Sequence, residues 1–255
     1  MSQPILALRK CSIAFGGLVA VDSVDIEIQP GELIGLIGPN GAGKTTVFNL
    51  ITGVYGPTGG EITLAGEPIH GHKPHEIAAV GIARTFQNIR LFGSLTALDN
   101  VRVGAHTHVR YSPAGAIWRS QAFRTQEHDL TTRAIHLLHV LGLGGFQNTD
   151  ARSLPYGEQR RLEIARALAS EPKVLLLDEP TAGMNPHETR ELMGVIKSIR
   201  EDFGLTILLI EHDMKVVMGI CERIYVLDYG KVIAEGKPED IRKNPAVIEA
   251  YLGEA

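Results

Sequence analysis

The sequence predicts an α/β fold in which a mainly parallel sheet carries a phosphate-binding loop, with a small antiparallel β layer beside it and a helical subdomain inserted into the chain. Three observations predict it. Residues 38–46 read GPNGAGKTT between an aliphatic run (Leu33, Ile34, Leu36, Ile37) and a helix-like stretch (Val47, Phe48, Leu50, Ile51), the strand–loop–helix setting that the Gly-x-x-x-x-Gly-Lys-Thr motif requires. Val174 to Leu177, Thr206 to Ile210 and Ile224 to Leu227 are nearly continuous aliphatic stretches separated by helical segments, as in parallel strands covered on both faces. Between these regions, residues 96–142 carry no such run but set Leu137, Leu138 and Leu141 at helical spacing.

Taken in order, Ile5 to Leu8, Val24 to Ile28, Leu33 to Ile37 and Glu61 to Leu64 read as short strands, punctuated by turns at Gly16-Gly17, Pro30-Gly31 and Gly59-Gly60. All but the third belong to the antiparallel layer. The segment from His106 to Asp129, with Pro113, Gly115 and many charges, reads as partly loop. From Gly157 a helix is expected, its apolar face including Leu162, Ala165 and Ala169, with Arg160, Arg161 and Arg166 outward. Gly230 reads as a hairpin turn between two strand-like runs. The expected organisation is a single domain over 1–255, with a core at 1–87 and 157–255 and a helical subdomain at approximately 88–156.

The composition, 44% hydrophobic and 21% charged with a formal net charge of -4, is that of a globular chain and argues against a nucleic-acid partner, whose recognition needs a concentrated basic surface. Cys11 and Cys221 are far apart, without metal-type spacing, and are expected to be buried thiols in a reducing cytosol. No run approaches about 20 apolar residues and no export signal opens the chain, so any membrane role is expected to be peripheral, through a partner protein.

The chemistry of the loop follows from its backbone. Gly38, Pro39, Asn40, Gly41, Ala42 and Gly43 form a turn whose N–H groups point inward, and the helix starting near Lys44 aims its positive dipole end at the same point. A polyphosphate fits there. Lys44 is expected to reach the β- and γ-phosphates, Thr45 to ligate Mg2+, and Thr46 to donate toward the α-phosphate. VLLLDE at 174–179 is a strand ending in two carboxylates, Asp178 and Glu179, expected to project in different directions. Asp178 is the candidate Mg2+ ligand, through water, and Glu179 the candidate base that orients the attacking water. A second helix start, after the Leu-Pro-Tyr-Gly bend at 154–157, exposes another set of N–H groups suited to an anion. One nucleotide does not need two such sites on one chain.

The order GPNGAGKT, Gln87 in IARTFQ, LPYGEQ, VLLLDEPTAGMNP and His212 in LLIEHD resembles the ATP-binding subunit of an ABC transporter over essentially the whole chain. Among these, the stretch IEHDMKVVMGICERIYVLDYGKVIAEG and the ending NPAVIEAYLGEA are most similar to the branched-chain amino acid importers, with the urea or amide importers and lipopolysaccharide exporters as neighbours. The resemblance implies a P-loop NTPase core, ATP hydrolysis, and a head-to-tail dimer that sandwiches ATP. In it, Leu154, Pro155, Tyr156, Gly157 and Glu158 of one subunit face the γ-phosphate held by the other, which accounts for the surplus anion site. It further implies that Gln87 contacts the Mg2+ and senses the membrane partner, that His212 bonds the γ-phosphate and the water, and that Phe15 stacks on adenine with Val21 beside it. The implied partners are transmembrane permease subunits, a second ATPase subunit that is a copy or a relative, and, indirectly, an external substrate-binding protein. The implied location is the cytoplasmic face of the cell membrane.

Three positions depart from the family pattern. The signature is commonly Leu-Ser-Gly-Gly-Gln, so Pro155 removes a hydroxyl donor, a loss of about 1 kcal/mol where other groups compensate. Asn185 replaces a frequent aspartate, and Phe15 a frequent tyrosine. The alternative of a non-transport ATPase of the same superfamily fits less well, because such proteins fuse two cassettes or carry a long coiled coil, and this chain has one cassette without heptads. His70, His72 and His75, and likewise His136 and His139, lack a further convergent ligand and read as solvated surface. Trp118 is open to either a core or a partner-facing role.

Overall fold

The computed structural model describes residues 3–109 and 111–252. The chain runs β1 (Leu6–Phe15), β2 (Leu18–Ile28), β3 (Leu33–Ile37), α1 (Lys44–Ile51), β4 (Gly59–Leu64), β5 (Glu67–Pro68), α2 (Pro74–Val80) and β6 (Ile82–Arg84). Helices α3 (Ala97–Gly104), α4 (Pro113–Ile117), α5 (Gln121–Val140) and α6 (Tyr156–Leu168) follow. The remainder alternates as β7 (Val174–Asp178), α7 (Pro186–Phe203), β8 (Thr206–Ile210), α8 (Met214–Ile220), β9 (Arg223–Asp228), β10 (Lys231–Gly236), α9 (Pro238–Ile241) and α10 (Pro245–Leu252).

A six-stranded sheet has the order β10-β9-β3-β8-β7-β6, parallel except for the β9–β10 hairpin that turns at Gly230. Its central strands are buried on both faces. Ile34 and Leu36 pack with α1 and the antiparallel layer, while Leu33 and Ile37 pack with the helices on the other side. This is why the strands read as unbroken aliphatic runs rather than as alternating ones. The antiparallel layer has the order β2-β1-β4-β5.

The antiparallel strands are longer than the sequence suggests. Between Leu8 and Cys11 the β1–β2 register shifts, and Lys10 and Ser23 take φ of 48° and 52°, so irregularities break the alternation while pairing continues. Gly59-Gly60, expected as a turn, lies inside β4. At Gly60, φ is 81° and a Cβ would stand 2.3 Å from the Lys10 carbonyl oxygen, so the glycine permits a close backbone approach between paired strands.

The segment from His106 to Asp129 is more helical than its composition suggests. Ser112 and Ser120 supply the reason: their hydroxyls accept the Gly115 and Phe123 N–H groups at 3.1 and 3.2 Å and so start α4 and α5. Arg110 within it lies outside the described residues. Helices α3, α5 and α6 pack on one another through a core shared with the outer face of the main sheet.

Candidate active site

In a parallel sheet the carboxyl ends of the strands lie together, and each is followed by a loop at the same edge. The segments after β3, β6, β7 and β8 therefore bring the phosphate loop, Gln87, Glu179 and His212 to one end of the sheet. Asn40, Gly41, Ala42, Gly43, Lys44, Thr45, Thr46, Gln87 and Glu179 line one cleft of about 410 Å³, with Leu18, Val19, Ala20, Tyr229 and Gly230 completing its walls.

The loop is built for close packing. Gly38 has φ of 150°, and a Cβ there would stand 2.0 Å from the Leu227 carbonyl oxygen; at Gly43, with φ of 103°, it would meet the Ala20 oxygen at 2.7 Å. Only glycine fits either position. Lys44 Nζ donates to the carbonyls of Gly38 and Pro39 at 2.6 and 2.7 Å, holding the ammonium over the loop. No side chain caps the start of α1, so its first N–H groups remain available to an anion. The cradle thus has the shape, donors and charge for a polyphosphate.

The two carboxylates diverge as expected. Asp178 is 4% exposed and accepts Arg84 Nη2 at 2.7 Å. Arg84 also donates to Asn49 of α1 at 2.8 Å and lies over the Phe48 and Phe86 rings. Glu179 turns the other way, toward the cleft, with its backbone in the left-handed region at φ of 47°. Strain of this kind persists where the surroundings over-determine it, and here the Glu179 N–H donates to Ile210 at 2.9 Å. Its carboxylate accepts Gln87 Nε2 at 2.9 Å and stands 3.6 Å from His212 Nδ1. Thr45, Gln87 and Glu179 bring oxygen-bearing side chains to the cleft, the ligand type that suits a hard divalent cation, whereas Asp178, buried and paired with Arg84, does not line it.

Sequence reasoning missed several residues here. Glu211, 1% exposed at the end of β8, accepts the Thr181 N–H at 2.9 Å and its hydroxyl at 2.6 Å, anchoring the turn after Glu179. An acid directly after an aliphatic strand was the available signal. Arg84 carried a similar one. Two expectations are corrected. Val21 does not stand beside Phe15 at a base-binding surface: it is fully buried in the core of the antiparallel layer, and Leu18, Val19 and Ala20 face the cleft instead. Arg160 does not point outward. It is 3% exposed, beside a Glu163 that is 2% exposed, because loop carbonyls and that carboxylate supply its partners. Burial pushes the Glu163 carboxyl above the usual range against the pull of Arg90 and Phe86 N–H groups and of the Arg160 charge.

Phe15 is half-exposed and packs edge-on against Tyr55, ring centroids 5.0 Å apart. None of Leu154, Pro155, Tyr156, Gly157 and Glu158 lines the phosphate cleft. They form the start of α6, which, like α1, has no side-chain cap. Asn185 caps α7 by accepting the His187 and Glu188 N–H groups at 2.8 and 3.1 Å. Trp118 is 78% exposed. A larger cleft of about 900 Å³ lies along β1, β2, β4 and β9, where Arg223 pairs with Glu32 and Glu235, and Arg9 with Glu27 and Glu61.

The family model described as "ABC transporter" matches residues 21–182, and that of the "Branched-chain amino acid ATP-binding cassette transporter" matches residues 231–255. The chain belongs to the ABC transporter family. Along its full length it is 49% identical to the whole of the high-affinity branched-chain amino acid transport ATP-binding protein BraF of Pseudomonas aeruginosa. It is 37% identical to the lipopolysaccharide export system ATP-binding protein LptB of Acidithiobacillus ferridurans, over 92% of this chain and 91% of that one. Among solved structures, the ADP conformation of MJ1267, an ATP-binding cassette of an ABC transporter, superposes with a TM-score of 0.86 at 30% identity, covering 99% of this chain and 100% of that one. The cassette MJ0796, in a dimeric post-hydrolysis state bound to ADP and Pi, gives a TM-score of 0.76 at 29% identity, covering 91% of this chain and 98% of that one.

The fold is accordingly the ABC ATPase fold, with its mixed sheet and helical subdomain, and the chain is an ATP-hydrolysing subunit of an ABC transporter, closely related to the branched-chain amino acid importer ATPases. Among the described residues no helix is long and apolar enough to cross a membrane. Of the ending that carries the importer resemblance, Gly253, Glu254 and Ala255 lie outside the described residues.

Proposed function

We propose that this ABC ATPase powers an importer for branched-chain amino acids, closing against a second ATPase subunit, itself or a relative, while docked on permease subunits at the cytoplasmic face of the membrane. One observation carries the mechanism: an uncapped helix start, a strained glutamate and a glutamine share one cleft, with a histidine 3.6 Å from that glutamate, while a second uncapped helix start lies outside the cleft. The second start has an anion to bind only when another subunit presents one. The match at 231–255 and the 49% identity to BraF support the cargo. Lipopolysaccharide export is disfavoured by the lower identity to LptB, 37%. A substrate-binding protein outside the membrane acts indirectly, through the permease.

In this reading, residues 38–46 hold the triphosphate of ATP, with N–H groups from the loop and the start of α1, the Lys44 ammonium on the β- and γ-oxygens and the Thr46 hydroxyl toward the α-phosphate. Phe15 offers its exposed face to adenine. Thr45, Gln87 and, through water, Asp178 would hold Mg2+, which when bound neutralises phosphate charge. Glu179 accepts the hydrogen bond of the attacking water and then its proton, and His212, beside it, bonds the γ-phosphate and the water. Arg84 keeps the Asp178 carboxylate on the α1 side, so the two acids hold separate roles. The partner's Leu154–Glu158 turn would add N–H groups and a helix dipole at the γ-phosphate, where charge develops on bond cleavage.

The test is Glu179→Gln. It keeps the size and the hydrogen-bonding capacity of the side chain but removes the base, so turnover should fall at least about a hundredfold while ATP stays bound and the pair stays closed. Size-exclusion chromatography with ATP and a phosphate-release assay measure both. Hydrolysis within a few-fold of wild type would remove Glu179 from the role of base.

A further inference from the structure

Tyr156 is the first residue of α6, at the position where the common signature has its first glycine. Its hydroxyl donates to the Ala182 carbonyl at 2.9 Å and accepts Arg160 Nη2 at 2.8 Å. Its ring lies against Gly183, where an added Cβ would be 3.4 Å away. Arg160 in turn donates to the carbonyls of Phe86, at 2.8 Å, and Gln87, and Glu163 takes the Phe86 and Arg90 N–H groups at 3.4 and 3.3 Å. From Gln87 the side chain reaches Glu179 at 2.9 Å, and the Ala182 N–H closes onto the Glu179 carbonyl at 3.1 Å. The contacts form a closed ring through Tyr156, Arg160, Gln87, Glu179 and Ala182. A glycine at position 156 would leave that ring open.

We infer that Tyr156 is a positioning residue for hydrolysis, tying the signature turn of one chain to the glutamine and the base of that same chain. The inference rests on the proposed reading that the turn faces ATP on the other subunit: a phosphate seated there bears on Tyr156, and through Arg160 and Ala182 on the setting of Glu179 in its own cleft. Occupancy of one site thereby biases the other. The tyrosine hydroxyl supplies a link within the turn at which Pro155 offers no hydroxyl of its own. Since Tyr156 is 43% exposed and Arg160 keeps two loop carbonyls and Glu163 without it, the fold does not depend on the hydroxyl.

Tyr156→Phe keeps the ring and removes only the hydroxyl. With the full chain, steady-state hydrolysis over a range of ATP and protein concentrations is compared with equilibrium ATP binding and thermal unfolding. The expected result is kcat lowered about five- to tenfold and a Hill coefficient moved toward unity, with ATP affinity within about twofold of wild type and an unchanged Tm. Wild-type kcat and cooperativity would overturn the inference, and so would losses of affinity and Tm in step with kcat. Gly157→Asp separates the two levels. The three atoms nearest an added Cβ there belong to Glu188, the closest at 3.6 Å, an ordinary contact; the carboxylate repels a facing phosphate, and Tm checks that the fold accepts a second acid beside Glu188. If Gly157→Asp hydrolyses ATP normally, the facing-helix reading fails and takes this inference with it; if it is inactive while Tyr156→Phe behaves as wild type, this inference alone fails.

Discussion

Replacing Arg84 by methionine removes a charge that three parts of the molecule share. In the native chain the guanidinium meets Asp178 at 2.7 Å and Asn49 at 2.8 Å, and both members of the ion pair are nearly buried, with side-chain exposures of 7% and 6%. Methionine fills a similar volume against Phe48 and Phe86 but leaves Asp178 charged, buried and without its partner. Breaking a buried pair in this one-sided way costs about 3–5 kcal/mol, because the desolvation of the remaining ion is no longer offset. Unfolding entropy of about 2.1 cal/mol/K per residue over 255 residues gives about 0.54 kcal/mol/K, so Tm should fall by about 6–9 °C. The assay is thermal unfolding by circular dichroism at fixed pH, on Arg84→Met, Asp178→Asn and the double variant. The double variant leaves a neutral amide beside a thioether and should recover at least about half of the loss, since replacing both partners of a buried pair is far milder than removing one. An Arg84→Met protein melting within about 1 °C of wild type, the range of an ordinary surface change, would refute the reasoning and mean that water reaches Asp178.

Two further perturbations address the loop and the thiols. Gly38→Ala forces a Cβ to within 2.0 Å of the backbone oxygen of Leu227 at a φ of 150°, so chemical denaturation should register a loss of at least about 2 kcal/mol and ATP titration at least tenfold weaker binding; wild-type values in both would mean that the loop relaxes freely. Burial pushes the Cys11 thiol up to about 11 and Cys221 up to about 12. The fold therefore favours their protonated forms, and this contribution to stability is complete below the unfolded value near 9 and is lost as pH rises through 11 to 12. Both thiols should resist an alkylating reagent at pH 8 until denaturant is added, and the decline in Tm above pH 9 should be shallower in a Cys11→Ala/Cys221→Ala variant than in wild type.

The elements legible in the sequence are those whose signal is local. GPNGAGKTT, the aliphatic strands that end at Asp178 and Ile210, and the turn at Gly230 each announce themselves within about ten residues, and parallel strand geometry then brings Lys44, Glu179 and His212 to one edge. What escaped depends on partners distant in sequence. Arg160 and Glu163 look solvated on a helical projection, because that projection counts only apolar residues; their burial is compensated by the backbone around Phe86, Gln87 and Arg90, more than 70 positions earlier. Val21, which the resemblance implies beside Phe15, is buried instead. Register shifts between Cys11 and Ile13 and between Ile13 and Ala14 change which face of β2 meets the core, and no composition rule locates them. Likewise Gly60, which resembles a turn residue, is a glycine because two strands approach closely.

The contacts around Gln87 bear on how the proposed base is held. The Glu179 carboxylate is already engaged by Gln87 at 2.9 Å, and its backbone is strained at φ of 47°. The carboxylate oxygen that accepts the amide is occupied and not open to a water there, and the strained backbone is held by the Glu179 N–H bond to the Ile210 carbonyl. The Gln87 carbonyl in turn accepts Arg160, which belongs to the helix whose start lies outside the phosphate cleft. Freeing the base thus requires movement in the segment around Gln87, and the groups able to drive that movement are a phosphate at the start of α6 and whatever docks against Gln87 from outside. On the proposed reading both belong to other subunits, and full activity is then a property of the assembly, which is the condition for coupling hydrolysis to transport.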